Sequence, residues 1–316
     1  MRKKEIWARL LQIAVILLGV SFFSFCLTFL SPGDPAEAML TDGGNRPSPE
    51  LLHAVREELG LNRPFLVQYG SWLMGVVQGD LGRSLSSKQP VSATILNHLP
   101  ATVWLSLAAL TLMIVISVPF GILAAVKRNR PADYIVRGLS FLGISMPGFW
   151  VGLMLLYYLG LKMSWFPIAS PVVGLRTIVL PALTLAVAMS AKYVRQVRTA
   201  VLEELGQDYV VGARAQGFSE SAILWKQVLP NALLPLITML GLSLGSLLGG
   251  TAVVEIVFSW PGLGKLAVEA ITNRDYPLAQ GIVLWMALIY MAINLLVDIS
   301  YSWFDPRLRK QHSGGH

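Results

Sequence analysis

The sequence is poor in charged residues and contains a single cysteine. Asp, Glu, Lys and Arg make up 14% of its 316 residues, against about 25% in soluble domains. Hydrophobic residues reach 54%, and the mean hydropathy is +0.59. A soluble domain of this length cannot bury so much apolar surface, so the expected solvent is a lipid bilayer. Because Cys26 has no second cysteine to pair with, an intramolecular disulfide is excluded.

Motifs for catalysis and for nucleotide binding are also missing. No nucleophile, base and acid occur at a spacing typical of an enzyme, so we expect a non-enzymatic chain without a cofactor or a metal centre. The Gly-Lys pair at 264–265 resembles the end of a phosphate-binding loop. That motif requires a glycine at position 259, which is Ser259 here, and Ser or Thr at position 266, which is Leu266 here. An ATP-driven role would therefore require separate ATPase chains. His312 and His316 in the HSGGH tail could chelate a metal, although such a tail is usually inert.

Six segments free of charged residues follow one another along the chain. A helix rising about 1.5 Å per residue needs about 20 residues to cross about 30 Å of hydrocarbon. Five of the segments are long enough, whereas the fourth has 15 residues and must continue past Lys192. We predict an all-α membrane protein with six transmembrane helices. The segments are 10–33, 99–126, 138–161, 177–191, 227–254 and 276–297.

Lysine and arginine are distributed unevenly between the two sides of these predicted helices. With a cytoplasmic N-terminus, the cytoplasmic segments hold 16 of the 25 cations, the two short outer loops hold 4 and the long outer loop holds 5. Cytoplasmic loops carry an excess of cations, so both termini are predicted to be cytoplasmic. Lys192, Arg195 and Arg198 fit simple anchoring at this face, with an ionic contact to an ATPase subunit as the alternative. The net charge of +7 is then a topology signal and gives little support to nucleic-acid binding.

This topology divides the chain into four segments. Residues 1–33 form a cytoplasmic tail and the first transmembrane helix, and residues 34–98 form an extracytoplasmic helical loop. Residues 99–302 form the core transmembrane domain, and residues 303–316 form a cytoplasmic tail. The core includes a polar island at 203–230, which must lie in water at the cytoplasmic face.

Local signals predict several helix ends. In the outer loop, Ser48 caps one helix, Gly60 ends it, and a second helix spans 64–77. Pro100 should lie early in the second transmembrane helix, where a proline is tolerated.

Three residues are candidates for the wall of a translocation path. Met146 and Pro147 interrupt the third transmembrane segment, where proline frees backbone groups that neighbours must satisfy. Glu255 places a carboxylate at the outer end of the fifth segment, and such a charge usually faces water or a partner. The alternatives are a packing kink at the proline and a hydrogen-bonded structural acid.

The polar island is predicted to hold two short helices with a break between them. The first spans about 205–216 and ends at Gly217 in the left-handed conformation. Ser219 caps the second helix, Glu220 lies at its positive end, and Pro230 closes the unit. The first helix is narrow because it contains small residues, which would let a partner's backbone approach closely. These are Gly212, Ala213 and Ala215.

The same island resembles the "EAA loop" of ABC-importer permeases. The spacing of Ala213, Gly217, Leu229 and Pro230 matches that motif, although Val211 replaces its glutamate. The sequence around Ala213 is similar to the corresponding sequence of permeases of the dipeptide, oligopeptide and nickel branch. Other short sequence motifs that resemble this branch occur at residues 31–35, 58–61, 79–84, 258–264, 273–277 and 304–307.

The resemblance implies a type I ABC-importer transmembrane domain in a bacterial inner membrane, in which the island is the coupling helix docked on an ATPase subunit. It implies four kinds of partner: a second permease chain of the same or a different sequence, two cytoplasmic ATPases, an extracytoplasmic binding protein and the bilayer. The residues it assigns to coupling are Tyr209, Ala213, Arg214, Ala215, Gly217, Leu229 and Pro230.

The predicted function is ATP-driven uptake of nickel, a nickel chelate or short peptides. The short loop at 162–176 resembles the nickel and oligopeptide members of the branch more than the dipeptide permeases, which carry a long insertion there, and we take it to favour nickel slightly. One alternative is an ATP-independent secondary transporter or channel, which would need coupling carboxylates in mid-membrane. A second alternative, a membrane enzyme, lacks clustered catalytic side chains.

Overall fold

The protein is almost entirely helical in the computed structural model, which describes residues 3–30, 34–40, 48–58, 60–168 and 172–304. Within these ranges no β-strand is present, and the only extended pairing is an isolated bridge between Arg83 and Pro90. The fourteen helices of these ranges are α1 Lys3–Leu30, α2 Pro35–Leu40, α3 Pro49–Glu58, α4 Phe65–Val77, α5 Val91–Val126, α6 Pro131–Ser145, α7 Gly148–Leu155, α8 Leu175–Leu205, α9 Asp208–Ala215, α10 Glu220–Ile223, α11 Leu229–Gly250, α12 Ala252–Val257, α13 Leu263–Thr272 and α14 Tyr276–Phe304. Helix α7 continues as a π-helix over Leu156–Lys162, and α10 continues as one over Leu224–Val228.

Four helices are long and apolar enough to cross a membrane, and the number becomes five if α6 and the bent α7 segment count as one span. This result covers the described residues only, so the predicted number of six and the cytoplasmic termini stay predictions. Helix α8 confirms that the fourth segment continues well past Lys192, because it extends to Leu205.

The chain divides into two compact units, and the first comprises Met1–Thr102 and Pro261–Met291. Its core joins the start of α5 to α13 and the start of α14 through the fully buried residues Val91, Ile95, Leu263 and Ile282. In the same unit α4 packs on α1 through edge-to-face aromatic contacts, such as that between Phe25 and Tyr69.

A carboxylate at the turn before α14 fastens a distant loop within the first unit. Asp275, only 1% exposed, accepts hydrogen bonds from the Ser84 hydroxyl and from the Leu85 and Ser86 amides. It also accepts one from the Leu278 amide in the first turn of α14. The loop that follows α4 is thereby held to a turn about 190 residues further along the chain.

The second unit, Val103–Trp260 with Ala292–His316, is arranged around α8. Small residues permit close helix packing, because a Cβ at Gly121 would lie 2.5 Å from Val197 of α8. A Cβ at Gly143 of α6 would likewise lie 2.8 Å from Ala191. Glycine at these positions therefore allows α5 and α6 to approach α8 more closely than any larger residue would.

The break predicted at Met146 and Pro147 is confirmed. Helix α6 ends at Ser145, α7 begins at Gly148, and the two axes differ by 102°. Proline favours this break because it lacks the amide hydrogen and disfavours a helical conformation at the residue before it.

Two other sequence-based predictions concern the helix ends in the first unit. The outer-loop caps are confirmed: the Ser48 hydroxyl accepts from the Leu51 amide, and Gly60 follows α3 with a φ of 67°. The prediction for Pro100 is wrong, since α5 begins at Val91 and Pro100 is its tenth residue. The helix extends because packing of Val91 and Ile95 in the core stabilises an additional N-terminal portion. The predicted segment boundary at 98/99 thus falls inside α5, and the assignment of the segments stays a prediction.

Candidate functional site

The polar island folds as the α9–α10 segment, defined here as residues 208–228, between α8 and α11. Gly217 has a φ of 84°, the Gly217 amide donates to the Arg214 carbonyl at 3.0 Å, and the Phe218 amide donates to the Ala213 carbonyl at 3.2 Å. These two bonds form the Schellman motif that ends α9. The Ser219 hydroxyl then caps α10 by accepting from the Ala222 amide at 3.3 Å. The predicted break, its glycine and its cap are confirmed.

Two boundaries of this segment were predicted wrongly. The first helix begins at Asp208 instead of 205, because α8 continues to Leu205 and the chain turns at Gly206. Pro230 does not close the second helix, since it lies in the first turn of α11 and the chain is helical from Glu220 to Gly250. The π-helical turn before Pro230 widens the helix where proline offers no amide hydrogen, so the helical path can continue.

One side of the α9–α10 segment belongs to the hydrophobic core of the second unit. Val210, Ile223 and Val228 are fully buried, and each such side chain contributes about 1.5–3 kcal/mol. They pack with α8, α11 and the end of α5, so a displacement of α9 cannot leave these helices unaffected. The buried members of this cluster are Ala125, Val197, Val201, Val210, Ala213, Ile223, Val228, Leu229, Ala232 and Leu236.

The same segment also exposes apolar side chains. Val211 is 60% exposed, Phe218 is 51% exposed and Trp225 is 63% exposed. Beside them Gly212 is open, with no atom within 4 Å of the position that a Cβ would occupy. We call Val211, Gly212, Phe218 and Trp225 the outer patch. Such an exposed apolar group on a polar segment is typical of a protein–protein contact.

The residues predicted for coupling fall on both sides of the segment. Ala213 and Leu229 are buried in the chain's own core, so the small size of Ala213 serves internal packing. Their neighbours along the segment are exposed, including Tyr209, whose hydroxyl donates to the Glu204 carboxylate at 2.6 Å. Burial and this carboxylate raise the pKa of Tyr209, so its phenol remains protonated at neutral pH. The exposed predicted residues are Tyr209, Arg214, Ala215, Gly217 and Pro230.

An ion pair bridges the turn between α9 and α10. The Arg214 Nε donates to Glu220 Oε1 at 2.6 Å, and its Nη2 donates to Oε2 at 3.1 Å. The hydrogen bonds from Arg214 lower the pKa of the Glu220 carboxyl, so the pair is complete at neutral pH and is lost only as the pH falls through that lowered pKa. Both side chains face water, so the pair fixes the geometry of the turn more than it stabilises the fold.

A buried ion pair in the C-terminal part of α8 was missed by the sequence analysis. The Arg198 Nε and Nη2 donate to the two carboxylate oxygens of Asp133, both at 2.8 Å. Asp133 is fully buried and also accepts the Asn129 amide at 3.0 Å. Arg198 was predicted to anchor the helix or to contact an ATPase, but its guanidinium is engaged within the chain. The two residues are 65 positions apart, so no local pattern indicates the pairing.

The three candidates for a translocation path do not share one environment. Pro147 is exposed and Met146 is half-buried at the break between α6 and α7. Glu255 is fully buried in α12 and accepts a hydrogen bond from the Thr251 hydroxyl at 2.8 Å. This geometry agrees with the alternative of a hydrogen-bonded structural acid, and a place of Glu255 in a translocation path stays a prediction.

The sequence matches two family models over most of its length. Residues 117–310 match the family described as "Binding-protein-dependent transport system inner membrane component", and residues 3–108 match its N-terminal companion. The chain belongs to this family. It is therefore a multi-pass protein of the bacterial inner membrane and a transport component without enzymatic activity of its own.

Relatives of known annotation cover almost the whole chain. The oligopeptide transport system permease protein AppB of Bacillus subtilis is 41% identical over 315 aligned positions, and the alignment covers 95% of this chain and 97% of that protein. The dipeptide permease DppB of Alkalihalophilus pseudofirmus is 35% identical over 328 residues, at 95% and 98% coverage. The glutathione permease GsiC of Salmonella choleraesuis is 38% identical over 301 residues, at 95% and 97% coverage.

Solved structures support the fold. An inward-facing MetNI methionine ABC transporter aligns with a TM-score of 0.57 at 18% identity, covering 67% of this chain and 96% of the other. An amino acid ABC transporter aligns with a TM-score of 0.51 at 17% identity, covering 68% and 94%. The type I ABC-importer fold is thereby confirmed for this chain.

Proposed function

We propose that the chain is the permease subunit of an ATP-driven importer of short peptides and that the outer patch on the α9–α10 segment receives the ATPase. The observation that carries the proposal is the two-sided segment: apolar residues outside are available to a partner, and apolar residues inside are fixed to α8 and α11. Motion imposed on the outer patch would therefore move the transmembrane helices.

Charge and shape of the segment agree with a docking role. Gly212 lets a partner backbone approach α9 closely, and the Arg214–Glu220 pair holds the turn in one conformation. Of the residues predicted for coupling, Tyr209, Arg214, Ala215, Gly217 and Pro230 are exposed and can contact a partner, whereas Ala213 and Leu229 act through the core. We infer two ATPase chains, a second permease chain and an extracytoplasmic binding protein as the partners of the complex.

Peptides are the proposed cargo because relatives covering 95% of the chain are named oligopeptide and dipeptide permeases. Nickel, which the short 162–176 loop favoured, has no support in the relatives named above. Cells that depend on this importer should take up labelled dipeptide or oligopeptide, and excess unlabelled peptide should compete, whereas Ni²⁺ should not. Saturable uptake of Ni²⁺ without peptide uptake would reverse the choice of cargo.

Met146 and Pro147 remain proposed residues of the translocation path. The 102° break leaves Pro147 exposed, as a path residue must be. For Glu255 the hydrogen bond from Thr251 argues for support of the α11–α12 junction, and direct contact with cargo stays a prediction.

The docking proposal is tested by placing a charge on the outer patch. Val211→Arg and Phe218→Arg should abolish co-purification of the ATPase chains and abolish peptide uptake, because an unpaired cation would replace an apolar contact. Gln207→Arg adds the same charge to an exposed residue outside the patch and is the matched control. The level of folded permease in the membrane should be unchanged in all three variants. Normal ATPase attachment and uptake in Val211→Arg and Phe218→Arg would refute the docking role, and uptake without ATPase chains would favour a secondary transporter.

A further inference from the structure

A cavity between α6, α8 and α11 combines a basic rim with an apolar wall. Its volume is about 880 Å³, within the range of small-molecule sites. Arg137 and Arg195 provide the rim together with Arg198, while the apolar lining includes Phe141, Leu236 and Met239. The cations lie towards the helix ends that the positive-inside rule places in the cytoplasm, and the apolar residues lie deeper in the spans.

The walls of this cavity are held in place by direct contacts. The Asp133–Arg198 pair and the approach of Gly143 to Ala191 fix α6 against α8. The Tyr193 hydroxyl donates to the Met239 carbonyl at 2.7 Å and fixes α11 against α8. The cavity is therefore a stable feature of the second unit.

Two of the rim cations are available to a ligand. Asp133 forms its ion pair with Arg198 and attracts Arg137 more weakly, and the ion pairs found among the described residues include neither Arg137 nor Arg195. The Arg137 guanidinium lies 5.8 Å from the ring centre of Tyr134, and both residues line the cavity. Glu203 is the one acid in the lining, and it lies two helical turns beyond Arg195. The rim therefore keeps a net positive charge.

We propose that this cavity binds an anionic phospholipid of the cytoplasmic leaflet. The phosphate diester accepts hydrogen bonds from Arg137 and Arg195, and the first part of an acyl chain lies along Phe141 and Met239. Basic pockets between transmembrane helices on the cytoplasmic side are suited to such headgroups. A bound lipid would satisfy the two cations without placing a carboxylate in the membrane.

The first test is a lipid titration of the purified full chain followed by native mass spectrometry. Phosphatidylglycerol should bind more tightly than phosphatidylcholine. Arg137→Gln combined with Arg195→Gln should weaken phosphatidylglycerol about thirtyfold, since each surface cation contributes about a fivefold factor. The matched control is Lys127→Gln combined with Arg128→Gln, two exposed cations outside the cavity. Equal binding of both lipids, or equal losses in the two double variants, would overturn the proposal.

Free phosphate is distinguished from lipid by competition. Glycerol phosphate in excess should leave phosphatidylglycerol bound, because the apolar wall contributes to binding. Displacement by glycerol phosphate would overturn the lipid assignment in favour of a simple phosphate site.

The second test uses the chain in native membranes and avoids changing the cations. Gly138 lines the cavity, and no atom lies within 4 Å of its Cβ position, so a photoreactive benzophenone side chain can be placed there. Irradiation should attach phospholipid to the chain, in an amount that rises with the anionic lipid content of the membrane. Attachment to another protein chain instead would show that a partner covers the cavity and would overturn the proposal.

Discussion

Removing Arg198 from the Asp133–Arg198 ion pair should destabilise the protein much more than removing Asp133. Arg198→Leu leaves a fully buried carboxylate that keeps the hydrogen bond from the Asn129 amide and the weaker attraction of the Arg137 guanidinium. Removing one partner of a buried ion pair destabilises a protein by about 3–5 kcal/mol. Asp133→Leu leaves Arg198, whose side chain is 18% exposed and borders the 880 Å³ cavity, so its guanidinium can turn towards water. We expect a loss of about 1–2 kcal/mol for that variant.

The double variant, with leucine at both positions, should lie within about 1 kcal/mol of the wild-type chain, because two apolar side chains replace two desolvated charges. The coupling energy of the cycle is then at least about 3 kcal/mol. Thermal unfolding of the purified chain in one detergent, followed by tryptophan fluorescence, ranks the four proteins. Lys192→Leu removes an exposed cation from the same helix and serves as the control.

The reasoning fails if Arg198→Leu unfolds no earlier than Lys192→Leu. It fails equally if the double variant is as unstable as the sum of the two single variants. Either result would mean that Asp133 is solvated or finds another donor, and that the pair does not hold α6 against α8.

Two further predictions concern single positions. Gly217→Ala should lower the free energy of unfolding by about 1 kcal/mol, because a φ of 84° strains any residue with a side chain even though no atom lies near the Cβ position. Gly212→Ala, in the interior of α9, should be neutral or should raise the free energy of unfolding by about 0.5 kcal/mol. Equal shifts of the unfolding temperature in the two variants would contradict this prediction. Asp275→Asn should destabilise the first unit by about 3 kcal/mol, because one amide oxygen cannot accept the four hydrogen bonds of the carboxylate. Hydrogen exchange at the Leu85 and Ser86 amides should become faster in this variant. Unchanged exchange at both amides would refute the role of Asp275 in fastening this loop.

The structure also changes how the coupling segment should be tested. From sequence, Ala213 looked like a small residue at a contact with the partner, and a charge there would seem a clean probe. Because Ala213 is buried with Val197 and Val210, Ala213→Asp would place a charge in the core and damage the fold. The exposed Val211 and Phe218 are the residues that report on docking alone.

Sequence alone determined the features that depend on neighbours along the chain. Apolar runs of about 20 residues predicted the long helices, and the signals at Gly217, Ser219 and Pro147 placed a helix end, a cap and a break that the structure confirms. These features need only contacts within about four residues, so they survive without knowledge of the fold. The short sequence motifs that resemble those of peptide and nickel permeases likewise identified the family, which the comparisons confirm.

Only the tertiary structure decided which side chains meet across the chain. Asp133 finds Arg198 at a separation of 65 residues, and Asp275 finds Ser84 at 191 residues. Pro230 was predicted to end a helix because proline has no amide hydrogen to donate. In the structure the helix continues through Pro230, stabilised by the packing of Val228 and Leu229 and by a π-helical turn. The energy of buried apolar contacts exceeds local preferences of about 1 kcal/mol, and those contacts exist only once the helices are packed.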